Sequence, residues 1–200
     1  SMVASMASIP RKQAKTINLG LFYGMGNKKL AAELGLELEQ AYELFNNYHG
    51  KVPFVKELSR QVSHVASTRG YIKTLLGRKR RFDLWEPRDE WGQKAYPLSE
   101  ASVKYHKQEL KRAYTHTALN ALIQGSSADI TKAAMLKIWE DGYLDYIDLK
   151  LTIHDELDFS VDQLQQKCLN EAIHIMKNCV EISVPLEVDV EKGSNWGTAK

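Results

Sequence analysis

Two cysteines in 200 residues, Cys168 and Cys179, are too few for a disulfide scaffold. They fall on one expected helix, eleven residues apart, too far to bridge without breaking it, and read as reduced core residues. No stretch approaches the roughly 18 uninterrupted apolar residues of a membrane span, and the N-terminus lacks the basic region and long apolar run of a signal peptide. A cytoplasmic protein with no membrane partner is expected. Five prolines and twelve glycines exclude a collagen, and 44% hydrophobic residues exclude a disordered tail. There is no internal repeat and no low-complexity tract. No other histidine stands at ligand spacing from His154-Asp155, which argues against a metal-dependent hydrolase.

What the chain does have is a division of charge. Residues 1–139 hold 22 Lys and Arg against 12 Asp and Glu, whereas residues 140–200 hold 5 against 13. A basic portion suits a polyanion, because each neutralised phosphate releases a counterion, and an acidic portion suits a divalent metal. Two ordinary solvated faces are the plain alternative.

Residues 1–8 are small and apolar and are set aside as a tag or leader. Ser8 can cap a helix with Pro10 in its first turn, running from Ile9 to Tyr23 and ending at Gly24. Apolar residues at helical spacing then predict three helices over residues 27–66, with breaks near Gly35 and at His49-Gly50 to Pro53. Residues 70–76 are short and β-rich, residues 82–99 read as a long loop, and residues 99–139 read as helical with a bend near Gly125. After that the period changes to two. Leu149, Leu151 and Ile153, then Leu157, Phe159 and Val161, predict two strands joined by a three-residue turn, His154-Asp155-Glu156. Asp162 and Gln165 suggest a capping box on a helix stopped by Pro185, and Leu186, Val188 and Val190 suggest a third strand.

Four constellations carry chemical content. Two adjacent carboxylates at a hairpin tip, Asp155 and Glu156 beside His154, offer hard oxygen ligands for Mg²⁺, although Asp is also an ordinary turn residue. On the first helix Arg11, Lys15, Leu19 and Tyr23 recur every four residues, two cations for phosphates and an apolar–aromatic pair for sugar and base, or simply one mixed helix face. His116, Asn120 and Gln124 repeat the same interval as a row of hydrogen-bonding groups along one helix face, able to read duplex edges. Four consecutive cations, Arg78 to Arg81, lie beside Phe82 and Trp85 and form an unspecific phosphate patch.

Together these segments resemble the polymerase domain of family A DNA polymerases, the polymerase I-like group, in its phage-like branch. Residues 11–24 resemble the fingers-helix motif R-x3-K-x7-YG; Thr74-Leu75 followed by Gly77-Arg78-Lys79-Arg80 resembles TLxGRR; residues 120–129 resemble N-x3-QGxxAD; and His154-Asp155-Glu156 resembles the last palm motif. The resemblance covers residues 9–197 and implies an α+β fold, mostly helical, with fingers helices over residues 9–115 and a C-terminal palm portion with a small antiparallel β element over residues 116–200.

It implies these roles. Arg11 and Lys15 would grip the triphosphate of an incoming dNTP, with Lys15 a proton donor to pyrophosphate, while Leu19 and Tyr23 would lie against its sugar and base. Asp155 would hold catalytic Mg²⁺ and Glu156 would sit near the primer end. His116, Asn120, Gln124, His154, Arg78 and Arg80 would contact primer-template DNA. Leu19 stands where the family usually has an aromatic residue, and His116 where bacterial members often have Arg. The family's other metal carboxylate belongs to an upstream pattern, D-x-S-x-I-E, which no segment here reproduces; residues 145–149 read as a turn and strand start. The expectation is therefore a fragment or one piece of a split DNA-directed DNA polymerase, inactive alone and partnered by a second polypeptide or segment carrying the rest of the palm and the thumb. The alternatives are a non-catalytic nucleic-acid-binding protein and a single-subunit RNA polymerase fragment, the latter disfavoured by Glu156 where that group normally has Ser.

Overall fold

A computed structural model describes the backbone of residues 11–90 and 92–199, with side chains from Ala14 onward in that range. The expected Ser8 cap, Pro10 and the Arg11 side chain lie outside the described residues. The chain forms two compact units, Ser1–Ile123 and Gln124–Lys200, divided inside one long helix.

The first unit begins with α1 (Arg11–Phe22), α2 (Asn27–Leu34), α3 (Leu38–Lys51) and α4 (Pro53–Arg69), so three helices follow the first one as the apolar spacing requires. Ala14, Ile17 and Leu21 form one buried stripe of α1 and pack with Leu30, Ala41, Leu44 and Tyr48. Helix α3 opens with a capping box between Glu37 and Gln40, and α4 opens on Pro53, whose missing N–H costs nothing in a first turn. A second core joins Val62 and Ala66 of α4 to Ile72, Phe82, Ala118 and Leu119. Its sheet is β1 (Tyr71–Lys73) paired antiparallel with β2 (Lys79–Arg81), Tyr71 opposite Arg81.

Residues 82–99 are not the expected loop. They contain β3 (Leu84–Pro87) and β4 (Tyr96–Pro97), and the start of the region expected to be helical from residue 99 holds α5 (Leu98–Lys104) and then β5 (Leu110–Arg112). The three strands form a sheet in the order β4-β3-β5, with Trp85 opposite both Tyr96 and Arg112. Strands of two to four residues are too short to display a period, and their pairing rests on contacts distant in sequence, such as the Arg112 guanidinium 4.5 Å from the Trp85 ring centroid.

The second unit carries most of α6 (Ala118–Glu140), then β6 (Asp148–Ile153), β7 (Glu156–Ser160) and α7 (Gln166–Asn178). Its core is Ile138, Ile147, Ala172 and Ile175, with Leu157, Phe159, Cys168 and Cys179 packed against them. Both cysteines are free, and burial raises the Cys179 thiol pKa. Four details depart from the sequence reading. Ile153 pairs with Glu156, so the turn is two residues, His154-Asp155, and Glu156 belongs to β7. Asp162 does not make a capping box: it accepts from Leu164 N at 2.9 Å and starts a short 3₁₀ turn, while Gln165 Oε1 accepts from Cys168 Sγ at 3.4 Å. Helix α7 ends at Asn178, well before Pro185, where Asn178 Nδ2 donates to His174 O at 2.8 Å. Residues 186–190 alternate as a strand would but join no ladder among the described residues. Alternation supplies a face, and a strand also needs a partner edge.

Candidate functional site

Helix α1 turns its buried stripe inward and leaves a second stripe out. Lys15 is exposed, Leu19 is 55% exposed, and Tyr23 is half-buried just past the helix end. That exposure separates Leu19 from the core residues on the same helix, although its apolar side chain alone would place it among them. Tyr23 is held by its N–H to Leu19 O at 3.0 Å and by an edge contact with Phe22, ring centroids 5.4 Å apart. A cation, an apolar side chain and an aromatic ring therefore succeed one another along one accessible face.

The cationic run is itself a strand rather than a segment after one. All three β2 residues, Lys79, Arg80 and Arg81, are exposed. Lys79 lies 4.8 Å from the Tyr71 ring centroid and Arg80 5.5 Å from that of Phe82, so rings beneath the cations hold them near the strand without cancelling their charge. Arg78 N donates to Thr74 Oγ1 at 3.0 Å, closing the hairpin tip.

The polar row is split. His116 sits exposed in a 3₁₀ turn (Thr115–Thr117) after Tyr114, whose φ is 60°, and so precedes α6 instead of lying on it. Asn120 and Gln124 are on α6, one turn apart. Gln124 is exposed, whereas Asn120 Oδ1 is buried with no hydrogen-bond partner among the described residues. A buried amide oxygen left in that state costs on the order of 1 to 3 kcal/mol and is free to accept from a ligand.

In the second unit, Leu157 and Phe159 anchor the β6–β7 hairpin on the core, and its tip presents His154, Asp155 and Glu156, all exposed. His154 adopts φ 56°, a left-handed conformation that costs a non-glycine residue roughly 1 to 2 kcal/mol. A β-bulge between Leu149 and Leu151 bends the strand below the tip. The sequence reading passed over Asp158, whose Oδ2 is buried and unpartnered among the described residues. Its alternation with Leu157 and Phe159 placed it on the outer face and gave no sign of burial. Among the described residues, no three His, Cys, Asp or Glu side chains gather as a metal-binding group. Mg²⁺ characteristically takes one or two protein carboxylates and fills its shell with water and phosphate oxygens. Asp155 and Glu156 fit that partial donor set.

Residues 2–198 match DNA polymerase family A. The chain is 36% identical to a DNA-directed DNA polymerase of Pseudomonas phage M6 over 98% of its own length and 30% of that protein's. It is 35% identical to a DNA polymerase I of Synechocystis sp., over 95% of this chain and 19% of that protein. Among solved structures it superposes on the POL domain of Pol1 from M. smegmatis in complex with DNA primer-template and dNTP, with a TM-score of 0.71, 30% identity, and 92% of this chain covering 32% of that one. The chain belongs to family A of the DNA polymerases. It spans less than a third of the length of these curated relatives, and its similarity includes a phage enzyme as well as bacterial ones. Among the described residues, no helix is long and apolar enough to cross a membrane.

Proposed function

We propose that this chain provides the fingers, over residues 9–115, and the C-terminal palm portion, over residues 116–200, for template-directed DNA synthesis. The observation that carries the reading is the anchored β6–β7 tip with Asp155 exposed on a strained two-residue turn, in a chain that also presents the Lys15–Leu19–Tyr23 face. The primer-template and dNTP named for the structural neighbour support DNA and dNTPs as the ligands.

In this reading Arg11 and Lys15 bind the triphosphate, and Lys15 donates a proton as pyrophosphate leaves. Tyr23 stacks beside the nascent pair and Leu19 packs against the sugar. His116, Asn120, Gln124 and His154, with Arg78 and Arg80, hold primer and template, and Glu156 lies near the primer end. Asp155 holds Mg²⁺, which when bound lowers the cost of the charge that develops during nucleotidyl transfer. These 200 residues offer Asp155 without a D-x-S-x-I-E segment. The second palm carboxylate comes from another segment or polypeptide, and the chain by itself binds DNA without extending it. The bacterial and phage relatives support the cytoplasm of a bacterium or of a phage-infected host cell as its setting.

The test is single-turnover primer extension by the chain, alone and supplied with the remaining polymerase segment. Alone, it should bind primer-template and add no nucleotide. Complemented, it should extend the primer, and Asp155→Asn should slow extension by orders of magnitude while DNA affinity stays nearly constant. Extension by Asp155→Asn at the parent rate would remove the metal role, and extension by the chain alone would remove the incomplete-site reading.

A further inference from the structure

No sequence motif marks Arg112, yet at the end of β5 its guanidinium is held from three sides. Nη1 donates to Phe82 O at 2.8 Å. The guanidinium carbon stands 4.5 Å from the Trp85 ring centroid, a stacked cation–π arrangement. On the third side is Gly70. A Cβ there would lie 2.7 Å from Arg112 Cζ and 2.8 Å from Nη2, and Gly70 has φ +77° as the left-handed cap of α4. Any other residue at position 70 would be strained and would fill the space in which the guanidinium sits.

Arg112 also differs from its neighbours in charge pairing. On the same sheet Lys111 faces Glu86 at 3.8 Å, and just past the strand ends Arg88 faces Glu109 at 2.9 Å, whereas Arg112 has no carboxylate partner among the described residues. A half-buried guanidinium that is held rigid, with one of its five N–H groups on a neutral carbonyl, is incompletely compensated. Its surroundings add positive charge. Phe82, which accepts from Arg112, also lies under Arg80 and donates its N–H to Gly70 O at 2.8 Å. Residues 69–81 contain six Lys and Arg and no Asp or Glu.

We propose that Arg112 is a preorganised clamp for a backbone phosphate of bound DNA, with Gly70 and Trp85 as its positioning residues and Arg80 as a neighbouring cation. The proposal rests on the DNA-synthesis reading above. A phosphodiester supplies the oxygens that the remaining guanidinium N–H groups can meet two at a time, in a geometry lysine cannot reproduce. The triphosphate of a dNTP offers the same chemistry. DNA is favoured because β2, about 10 Å long, carries exposed cations on both faces, Lys79 and Arg81 on one and Arg80 on the other, a spread that suits repeating phosphates better than one compact anion.

The experiment measures binding of the full chain to fluorescent primer-template DNA by anisotropy over a series of salt concentrations, with dNTP affinity and melting temperature in parallel. Arg112→Gln keeps an N–H donor for Phe82 O and removes the charge. It should flatten the slope of log affinity against log salt by about 0.9 and weaken binding roughly uniformly across DNA sequences, leaving dNTP affinity unchanged. Arg112→Lys should retain the slope and lose affinity, because charge survives and the fork does not. Gly70→Ala should reproduce the affinity loss by displacing the guanidinium. An unchanged slope in a folded Arg112→Gln protein overturns the proposal, as does a loss confined to dNTP affinity. If Arg112→Gln does not fold, Arg112→Lys decides, and parent-like DNA affinity in that variant is fatal to the clamp. Failure of the parent chain to bind DNA at all would defeat the polymerase reading first and this proposal with it.

Discussion

The two units each carry a hairpin with an exposed tip, and the hairpins solve their turns in opposite ways. The β1–β2 hairpin of the basic unit closes through a longer tip: Thr74 N–H donates to Arg78 O at 2.9 Å, Gly77 N–H donates to Thr74 O at 2.9 Å, and Gly77 takes φ +89°. Glycine accepts that conformation without steric cost. The β6–β7 hairpin of the acidic unit closes in two residues and puts His154 in the left-handed region, although glycine would fit there more easily. The basic hairpin is thus an unstrained display of repeated charge, each cation interchangeable in kind with the next. The acidic hairpin sets Asp155 in the turn and Glu156 beside it at one place on the backbone, and the strain at His154 persists because Leu157 and Phe159 bind the strand to the core. Spread charge should fail gradually on mutation, and a fixed group should fail at once.

The largest binding effect expected from this contrast is graded. Replacing Arg78 and Arg80 together with Gln should lower the salt slope of DNA binding by about 1.8, twice the single-site value, and weaken binding by at least tenfold near 0.1 M salt. Either single variant should lose about half as much on a logarithmic scale. A complete loss of binding from one substitution, measured by the same anisotropy titration, would break the comparison, because it would make one cation of the display indispensable.

The acidic hairpin should respond to shape. His154→Val places a β-branched residue at φ 56° and should cost about 2 kcal/mol of stability. His154→Gly removes the strain but adds freedom to the unfolded chain, so its stability should fall within about 1 kcal/mol of the parent. Urea denaturation separates the two. In the complemented polymerase both variants should lose activity, since His154 is read as a primer contact. If His154→Val were as stable as the parent, the turn would not be strained, and the reason for a histidine there would have to lie in binding alone.

Most of the helical framework is legible in the sequence because long amphipathic segments repeat their signal. Leu30, Leu44 and Tyr48 mark the buried sides of α2 and α3 through spacing, whereas on α1 the spacing drew out Arg11, Lys15, Leu19 and Tyr23 and the structure adds Ala14, Ile17 and Leu21 as the buried stripe. The β6–β7 pair is equally plain, because alternation over ten residues has only one structural reading. What escaped was set by contacts distant in sequence. Trp85, Tyr96 and Arg112 form a sheet from segments 11 and 16 residues apart, each too short to have a pattern. Residues 186–190 have the pattern and, among the described residues, no ladder. In the site, Lys15, Leu19 and Tyr23 were visible as a spacing, but only the structure shows that Leu19 is exposed. His116 kept its spacing from Asn120 and lost its helix, because Tyr114 in the left-handed region starts a tighter turn. Arg112 was invisible: its significance depends on Gly70, forty-two positions earlier, lacking a side chain.

The smallest expected effect is a pH response confined to the basic unit. His49 of α3 is half-buried, with its ring edge-on to Phe45 at 4.4 Å and to Tyr48 at 5.2 Å, and its Nδ1 has no hydrogen-bond partner among the described residues. Burial, and secondarily the positive charge of Lys56, hold its pKa below the ordinary histidine value of 6.5. The unfolded chain therefore takes up a proton at this site before the folded chain does. Stability from a neutral His49 is fully present above about pH 6.5 and declines as the pH falls through that value, the side on which the unfolded state binds more protons. His49→Phe preserves an aromatic ring against Phe45 and Tyr48 and cannot titrate. The melting temperature of the parent should fall more steeply between pH 7.5 and 5.5 than that of the variant, with the two curves closest at the alkaline end if the phenyl ring packs as the imidazole does. Parallel curves across the interval would show that His49 is protonated as easily folded as unfolded. The aromatic contacts around it would then be packing without electrostatic consequence, and the basic unit would owe nothing of its acid sensitivity to this ring.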